Sequence, residues 1–337
     1  MVIGWGMLAP ILVTGGAGYI GSHVVRRLLE RHESVVVLDS LAFGHQASIP
    51  SDRVQFLKGN LFESDLLDRM FYHYKFDAVM HLAASTLVGE SMKDPVEYYR
   101  NNVGGALSLL TAMRDHGCLK MVLASTCAIY GNPVSTPISE DHPRNPVSPY
   151  GSSKLMVEQI LQDCSTSWGL RYVALRFFNA CGSHPDGDIG EDHRPETHLI
   201  PVVLQTALGL RPSVTIFGTD HPTEDGTCVR DYVHVCDIAD AHSMALDYLR
   251  HGNQSVGVNL GTGRGHSVKE VISTARDVTG CEIPALYAGP NHFDPPALVA
   301  DPSMAESVLG WKAKTPKLRH CIEDAWRWMS GPRRGRY

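Results

Sequence analysis

The stretch Ile11-Leu12-Val13-Thr14-Gly15-Gly16-Ala17-Gly18-Tyr19-Ile20-Gly21 decides the fold. A short apolar run ends in glycines at 15, 18 and 21, and a helical pattern over residues 21–30 follows at once. This is a strand, a tight turn and a helix start. A turn without side chains lets the backbone approach a pyrophosphate, and the helix start adds unpaired N–H groups and the positive end of the helix dipole. The next apolar run, Val35-Val36-Val37-Leu38, closes on Asp39. A carboxylate there accepts hydrogen bonds from an adenosine ribose and repels a 2′-phosphate. The segment therefore predicts a dinucleotide site that takes NAD in preference to NADP.

Working outward, Ala78-Val79-Met80-His81, Met121-Val122-Leu123-Ala124 and residues 171–177 read as further buried strands. Helical patterns lie between them, over residues 102–116 and from Tyr150 through Leu161. Such alternation is the mark of a parallel sheet wrapped by helices, an α/β architecture. Beyond Asn179 the texture changes to a His-, Pro- and Glu-rich stretch reaching His198, which reads as long loops of the kind that carry specificity. Ile216-Phe217, residues 256–260 and a helix over 268–278 suggest a smaller mixed α/β domain. The expected division is a dinucleotide-binding domain over 7–178 and a mainly substrate domain over 179–330. The amphipathic helix 237–249 is expected to pack back on the first domain.

Composition narrows the function classes. The net charge of −6 over 337 residues gives no support to a nucleic-acid or anionic-membrane surface. No apolar run approaches the ~20 residues of a membrane span. The eight cysteines are scattered without a Cys-x-x-Cys, and no helical His-x-x-x-His occurs, so neither a disulfide framework nor a metal site is expected. Met1-Val2-Ile3-Gly4-Trp5-Gly6 lacks the basic start of a secretory signal, and Met7 is an alternative start. A reduced, cytoplasmic setting is the expectation.

Candidate chemistry lies in Ser148-Pro149-Tyr150-Gly151-Ser152-Ser153-Lys154. Tyrosine and lysine four apart share one helical face. A phenol with a pKa near ~10 is no base at neutral pH unless a cation favours the phenolate, and Lys154 is placed to be that cation. With 12 tyrosines in the chain the spacing is uninformative by itself. The nucleotide features upstream give it meaning.

The glycine turn, His81-Leu82-Ala83-Ala84, Ser125-Thr126 and Tyr150-x-x-x-Lys154 resemble the extended short-chain dehydrogenase/reductase superfamily. Longer segments narrow the likeness: Val88-Gly89-Glu90-Ser91, Tyr98-Tyr99-Arg100-Asn101-Asn102-Val103, residues 154–161, Leu175-Arg176-Phe177-Phe178-Asn179 and residues 225–235 are similar to UDP-glucose (UDP-galactose) 4-epimerases. The resemblance implies a Rossmann-type domain and a tightly held NAD. Tyr150 would take the proton of the sugar 4-hydroxyl, Thr126 would bond the 4-oxygen, and Lys154 would lower the Tyr150 pKa and bond the nicotinamide ribose. Cofactor contacts would come from Gly15, Gly18, Tyr19, Ile20, Gly21, Asp39, Asn60, Leu61, Leu82, Ala83, Ala84, Asn102, Ser125, Tyr150, Lys154 and Phe177. Substrate contacts would come from Thr126, Asn179, His198, Leu199, Thr215, Phe217, Arg230 and Asp294. The resemblance also implies a homodimer through a helical bundle of the first domain.

Two departures from that pattern matter. Asn60 stands where an acidic residue is expected and keeps an acceptor oxygen. Asn291 stands where a second diphosphate-binding arginine is expected, a loss of about 1.5–3 kcal/mol for a charge-assisted contact; Arg264 and His292 are candidate replacements. Leu298 matches a position that limits the room around C2 of the sugar, so plain hexoses are expected over N-acetylhexosamines. Action on a UDP-uronic acid or UDP-pentose stays open. A 4,6-dehydratase would need an Asp-Glu pair after the threonine, where this chain has Cys127-Ala128, and a non-catalytic NAD-binding protein would not need Tyr150, Lys154 and Thr126 together.

Overall fold

A computed structural model of the protein describes residues 9–289, 295–333 and 335–337. The first elements in chain order are β1 (Ile11–Thr14), α1 (Tyr19–Glu30), β2 (Val35–Asp39), β3 (Gln55–Lys58), α2 (Ser64–Tyr74), β4 (Ala78–His81), α3 (Val88–Ser91), α4 (Pro95–Tyr99), α5 (Gly105–Asp115), β5 (Lys120–Thr126), α6 (Pro149–Trp168) and β6 (Arg171–Phe177). There follow β7 (Asn179–Cys181), α7 (Leu199–Ala207), β8 (Val214–Phe217), β9 (Val229–His234), α8 (Val235–Arg250) and β10 (Val256–Leu260). The last are β11 (Gly265–Ser267), α9 (Val268–Thr279), β12 (Ala285–Ala288), β13 (Ala297–Leu298), α10 (Ser303–Leu309) and α11 (Leu318–Ser330).

Among the described residues, seven strands form one sheet in the order β10-β6-β5-β4-β1-β2-β3. Six of them reproduce the strand order of dinucleotide-binding sheets, with β10 added at one end. β1 pairs in parallel with β2 and β4, placing Ile11 opposite both Val35 and Ala78. β2–β3 and β4–β5 are parallel as well. Helices cover both faces of such a sheet, so its central strands are buried throughout and read as unbroken apolar runs. Chain connections diverge on either side of β1, and ligands bind in open α/β sheets at this switch point, beyond the carboxyl ends of the strands.

The chain folds into two compact units. One takes in the chain up to Gly131, Arg144–Arg176 and Ala239–Val258; the other takes Asn132–Pro143, Phe177–Ile238 and Asn259–Tyr337. In the first unit α8 is tied to α1 and its surroundings by ion pairs of Arg27 with Asp240 (2.6 Å), Arg31 with Asp247 (2.8 Å) and Arg250 with Glu33 (2.6 Å). In the second, β9 is central: β11 and β13 flank it, and β7 also pairs with it. β8 and β12 make a separate parallel pair. The core there packs Val203 and Leu204 of α7, Val271 and Ile272 of α9, and Ile322 and Trp328 of α11.

One predicted helix is built differently. Instead of running unbroken over 102–116, the segment opens with a π-turn at Arg100–Gly104 before α5 begins. A π-turn inserts an extra residue in the turn. Asn102, which the turn carries, is buried: its Oδ1 accepts the Ser85 N–H (2.8 Å), while its Nδ2 donates to the Ser85 carbonyl (3.0 Å) and to Ser153 Oγ (3.0 Å). Among the described residues, no helix is long and apolar enough to cross a membrane.

Candidate active site

At the end of β1 the chain turns through Gly15, which lies at φ +72°. A Cβ on Gly15 would stand 2.5 Å from the Ala83 nitrogen, and one on Gly21 would run into the Gly15 carbonyl. Those two glycines are required by the protein itself. Gly18 is different: a Cβ there would meet only the Gly15 oxygen, at 3.4 Å. The protein leaves that space open at the N-cap of α1, whose first turn carries no acidic side chain. An anion approaching the backbone there meets the helix's positive end and no repelling carboxylate. Asp39, at the end of β2, is held rigidly, its Oδ2 accepting the Ala17 N–H (2.9 Å) and its Oδ1 the Leu41 N–H (2.8 Å). Burial pushes its carboxyl upward while these two bonds oppose the shift. Leu82, Ala83 and Ala84 follow β4, and the Leu82 N–H donates to the Thr14 carbonyl (3.0 Å), bringing that segment beside the glycine turn. This cradle fits a dinucleotide: open backbone for a pyrophosphate, then a fixed carboxylate for a ribose. Asn60 Oδ1 accepts the Phe62 N–H (3.1 Å), so its acceptor already shapes a local turn. Phe177 ends β6 and Leu61 packs on the apolar core.

Thr126, Tyr150 and Lys154 come together in the same unit. Ser148 caps α6, accepting the Gly151 N–H (3.2 Å), and Pro149 opens the helix, so Tyr150 falls in its first turn. Thr126 ends β5, where its Oγ1 accepts the Ala128 N–H (3.1 Å) and caps the turn over Cys127–Tyr130. The same hydroxyl favours the ionised form of the Tyr150 phenol. Tyr150 and Lys154 are both buried.

Electrostatics depart from the expectation drawn from spacing. Burial dominates and pushes the Tyr150 phenol above its ordinary value, with Cys127 and Tyr98 adding to the rise and Thr126 opposing it. Lys154 is not among the groups that set this shift, and its Nζ donates to the Ala124 carbonyl (2.9 Å). Burial also lowers Lys154, to about 8, against the pull of Glu158. The two groups, ordinarily close in pKa, are driven apart, because burial penalises the phenolate and the ammonium alike.

The remaining candidates lie in the second unit. Asn179 begins β7 and pairs across to Tyr232 of β9. Arg230, on β9, stands opposite both His266 of β11 and Leu298 of β13. Its neighbour Asp231 is fully buried and accepts from Thr262, Gly263 and Ala300, so that carboxylate is committed to the turn beyond β10. On β8 the burial alternates, leaving Thr215 and Phe217 on one exposed face with Phe217 55% open. His198 is the N-cap of α7 and Leu199 its first residue. Arg264 is largely exposed and lies 3.9 Å from Glu270. Asp294, Asn291 and His292 lie outside the described residues.

A cluster in the loop before α7 escaped the search for helical metal spacings. Glu191, His193, Glu196 and His198 bring four potential ligand atoms within 4.8 Å of one another. His198 offsets part of the carboxylate charge there. His198 Nδ1 lies 2.8 Å from Glu191 and 2.9 Å from Glu196, and the two carboxylates push His198 up to about 10 against its burial. Glu191 is lowered to about 2 by His198 and His193 despite its own burial. The signal in the sequence was Glu191-x-His193-x-x-Glu196-x-His198, a loop pattern without period.

Residues 11–261 match the model of the NAD dependent epimerase/dehydratase family. A UDP-glucose 4-epimerase of Halalkalibacterium halodurans is 52% identical over 94% of this chain and 95% of its own length. The crystal structure of a UDP-glucose 4-epimerase from Brucella ovis in complex with NAD superposes with a TM-score of 0.92 at 43% identity, covering 95% of this chain and 98% of that one. A Bifidobacterium longum UDP-glucose 4-epimerase in complex with NAD+ and UDP gives a TM-score of 0.91 at 36% identity, covering 97% and 99%.

Proposed function

The chain belongs to the NAD dependent epimerase/dehydratase family, and from that membership we propose that it is an NAD-dependent UDP-glucose 4-epimerase, inverting C4 of UDP-glucose and UDP-galactose through a 4-keto sugar. The observation that carries the reading is the buried trio of Thr126, Tyr150 and Lys154 in the unit that also holds the glycine turn and Asp39. Bound NAD+ supplies reversible hydride exchange with C4. Tyr150 takes the 4-hydroxyl proton as C4 becomes a ketone and gives it back after the sugar presents its other face. Thr126 Oγ1 accepts from the Ala128 N–H, which leaves its proton to donate toward Tyr150 or the sugar oxygen. Lys154 supplies positive charge that favours the phenolate once its Nζ leaves the Ala124 carbonyl for the nicotinamide ribose. Cys127 and Ala128 provide neither the acid nor the base of a dehydratase.

For the nucleotide, Arg230 and Asn179 are assigned to the diphosphate, Thr215, Phe217, Leu199 and His198 to the uridine side, and Asp294 to its ribose. An exposed aromatic ring beside a hydroxyl on one strand face suits a flat base. Leu298 lies across from Arg230 and supports the preference for plain hexoses. Val96, Leu107 and Met156 on α4, α5 and α6 are 65%, 47% and 47% exposed, an apolar surface that suits a homodimer, to be checked by light scattering. The assigned setting is the cytoplasm.

The test is incubation with a panel of UDP-sugars without added NAD. Interconversion of UDP-glucose and UDP-galactose is the expected result; loss of one water would establish a dehydratase instead. Turnover of UDP-N-acetylglucosamine as fast as UDP-glucose would overturn the role of Leu298.

A further inference from the structure

One turn beyond Lys154, α6 carries a second ionised group that the reaction as described does not use. Glu158 is 4% exposed, and its carboxylate is gripped by Arg176 of β6, itself 3% exposed. Nε of Arg176 donates to Oε1 (3.0 Å) and NH2 to Oε2 (2.8 Å), while NH1 donates to the Tyr130 hydroxyl (3.0 Å). Ser125, next to Thr126, donates its hydroxyl to Oε1 of Glu158 (2.6 Å). Gly257 on β10 makes room: a Cβ there would stand 2.6 Å from an Arg176 guanidinium nitrogen. Stability is a poor reason for this arrangement. Desolvating two charges roughly cancels their attraction, and an apolar pair of similar volume often does as well or better.

Resting on the reading of Tyr150 and Lys154 as the proton-handling pair, we propose that Glu158 is a positioning residue of the reaction: anchored by Arg176 and Ser125, its carboxylate holds Lys154 in the ammonium form and fixes the end of β5 that carries Thr126. Burial draws Lys154 down to about 8, and Glu158 is the charge that opposes this. The groups facing the pair from other elements do not replace it. His81 of β4 is held down to about 3 by its burial and by Lys154, so it is neutral. Tyr98 and Tyr172, both raised by burial, contribute no negative charge at neutral pH. Arg144, 3.9 Å from Glu158, is a further cation. Glu158 is thus the anion that the described network offers to Lys154.

The test compares pH profiles of kcat in Glu158→Gln, Arg176→Gln and the double variant. Removing the carboxylate lets Lys154 lose its proton at lower pH, so in Glu158→Gln and the double variant the alkaline limb moves down by about one pH unit, about tenfold in the acid constant. Arg176→Gln keeps the carboxylate, and its limb stays at or above that of the unaltered protein. The double variant does not leave the Arg176 guanidinium buried without its carboxylate and keeps the test available if Glu158→Gln does not fold. A purely structural role predicts lower kcat in all three with the limb unmoved, which overturns the proposal. A second readout needs no substrate: with NAD bound, the state in which Lys154 favours the phenolate, the Tyr150 phenolate, taken as the ultraviolet difference from Tyr150→Phe, should form at higher pH in Glu158→Gln. If no UDP-sugar is turned over, the functional reading fails, while an unshifted phenolate titration would overturn the role of Glu158.

Discussion

Around Tyr150 the polar groups are sealed from water and bonded to fixed partners: Lys154 to Ala124, Thr126 to Ala128, Ser125 and Arg176 to Glu158. Along β8 of the second unit, Thr215 and Phe217 stand on an open strand face. The first arrangement presets protonation states and geometry, which a chemical step needs. The second offers surface and adapts to what it binds. Changes in the first region should therefore act on rate or folding, and changes in the second on affinity.

The sharpest way to break that contrast is Tyr150→Phe, expected to lower kcat by about 10²–10⁴-fold while NAD stays bound. It is checked by turnover together with NAD released on denaturation; near-normal turnover would sink the mechanism. Arg230→Gln should raise KM for the UDP-sugar, through a loss of about 1.5–3 kcal/mol, with kcat changed far less. A fall in kcat alone would move Arg230 into the chemical region. Gly15→Ala, forcing a side chain into positive φ against Ala83, should cost about 1–3 kcal/mol in thermal unfolding. Gly18→Ala has room in the protein and should leave unfolding unchanged while weakening NAD, as equilibrium binding would show. Phe217→Ala should weaken UDP binding by about 1–3 kcal/mol with no change in Tm.

The smallest expected effect concerns the loop cluster. His198 is raised in the folded protein, so its contribution to stability is fully present below its ordinary value of 6.5 and disappears as pH rises through about 10. Thermal unfolding followed from pH 6 to 10 should show a decline that His198→Asn lessens. Equal slopes would remove the assigned charge from His198.

Much of the first unit was legible because its signals are local. β1, β2 and β4 are unbroken apolar runs, and the turn after β1 shows its glycines directly. Ser148-Pro149 marks the start of α6, although the helix runs on to Trp168, past the point where its apolar period fades. The π-turn before α5 left no trace, since one wide turn has no period to detect. The sheet around β9 joins short strands far apart in sequence, so neither Asp231's burial nor the pairing of Arg230 with Leu298 was visible. Spacing put Lys154 beside Tyr150 but said nothing of burial, and burial sets the direction in which both groups titrate.

Because Ser148 and Pro149 start α6 immediately before Tyr150, that residue belongs to the first turn of a 20-residue helix. Peptide dipoles along that length sum to a partial positive charge at this end. That end of the backbone opposes the burial that pushes the phenol up, a contribution that no side-chain substitution along the helix can delete and that only a shift of the helix start would move.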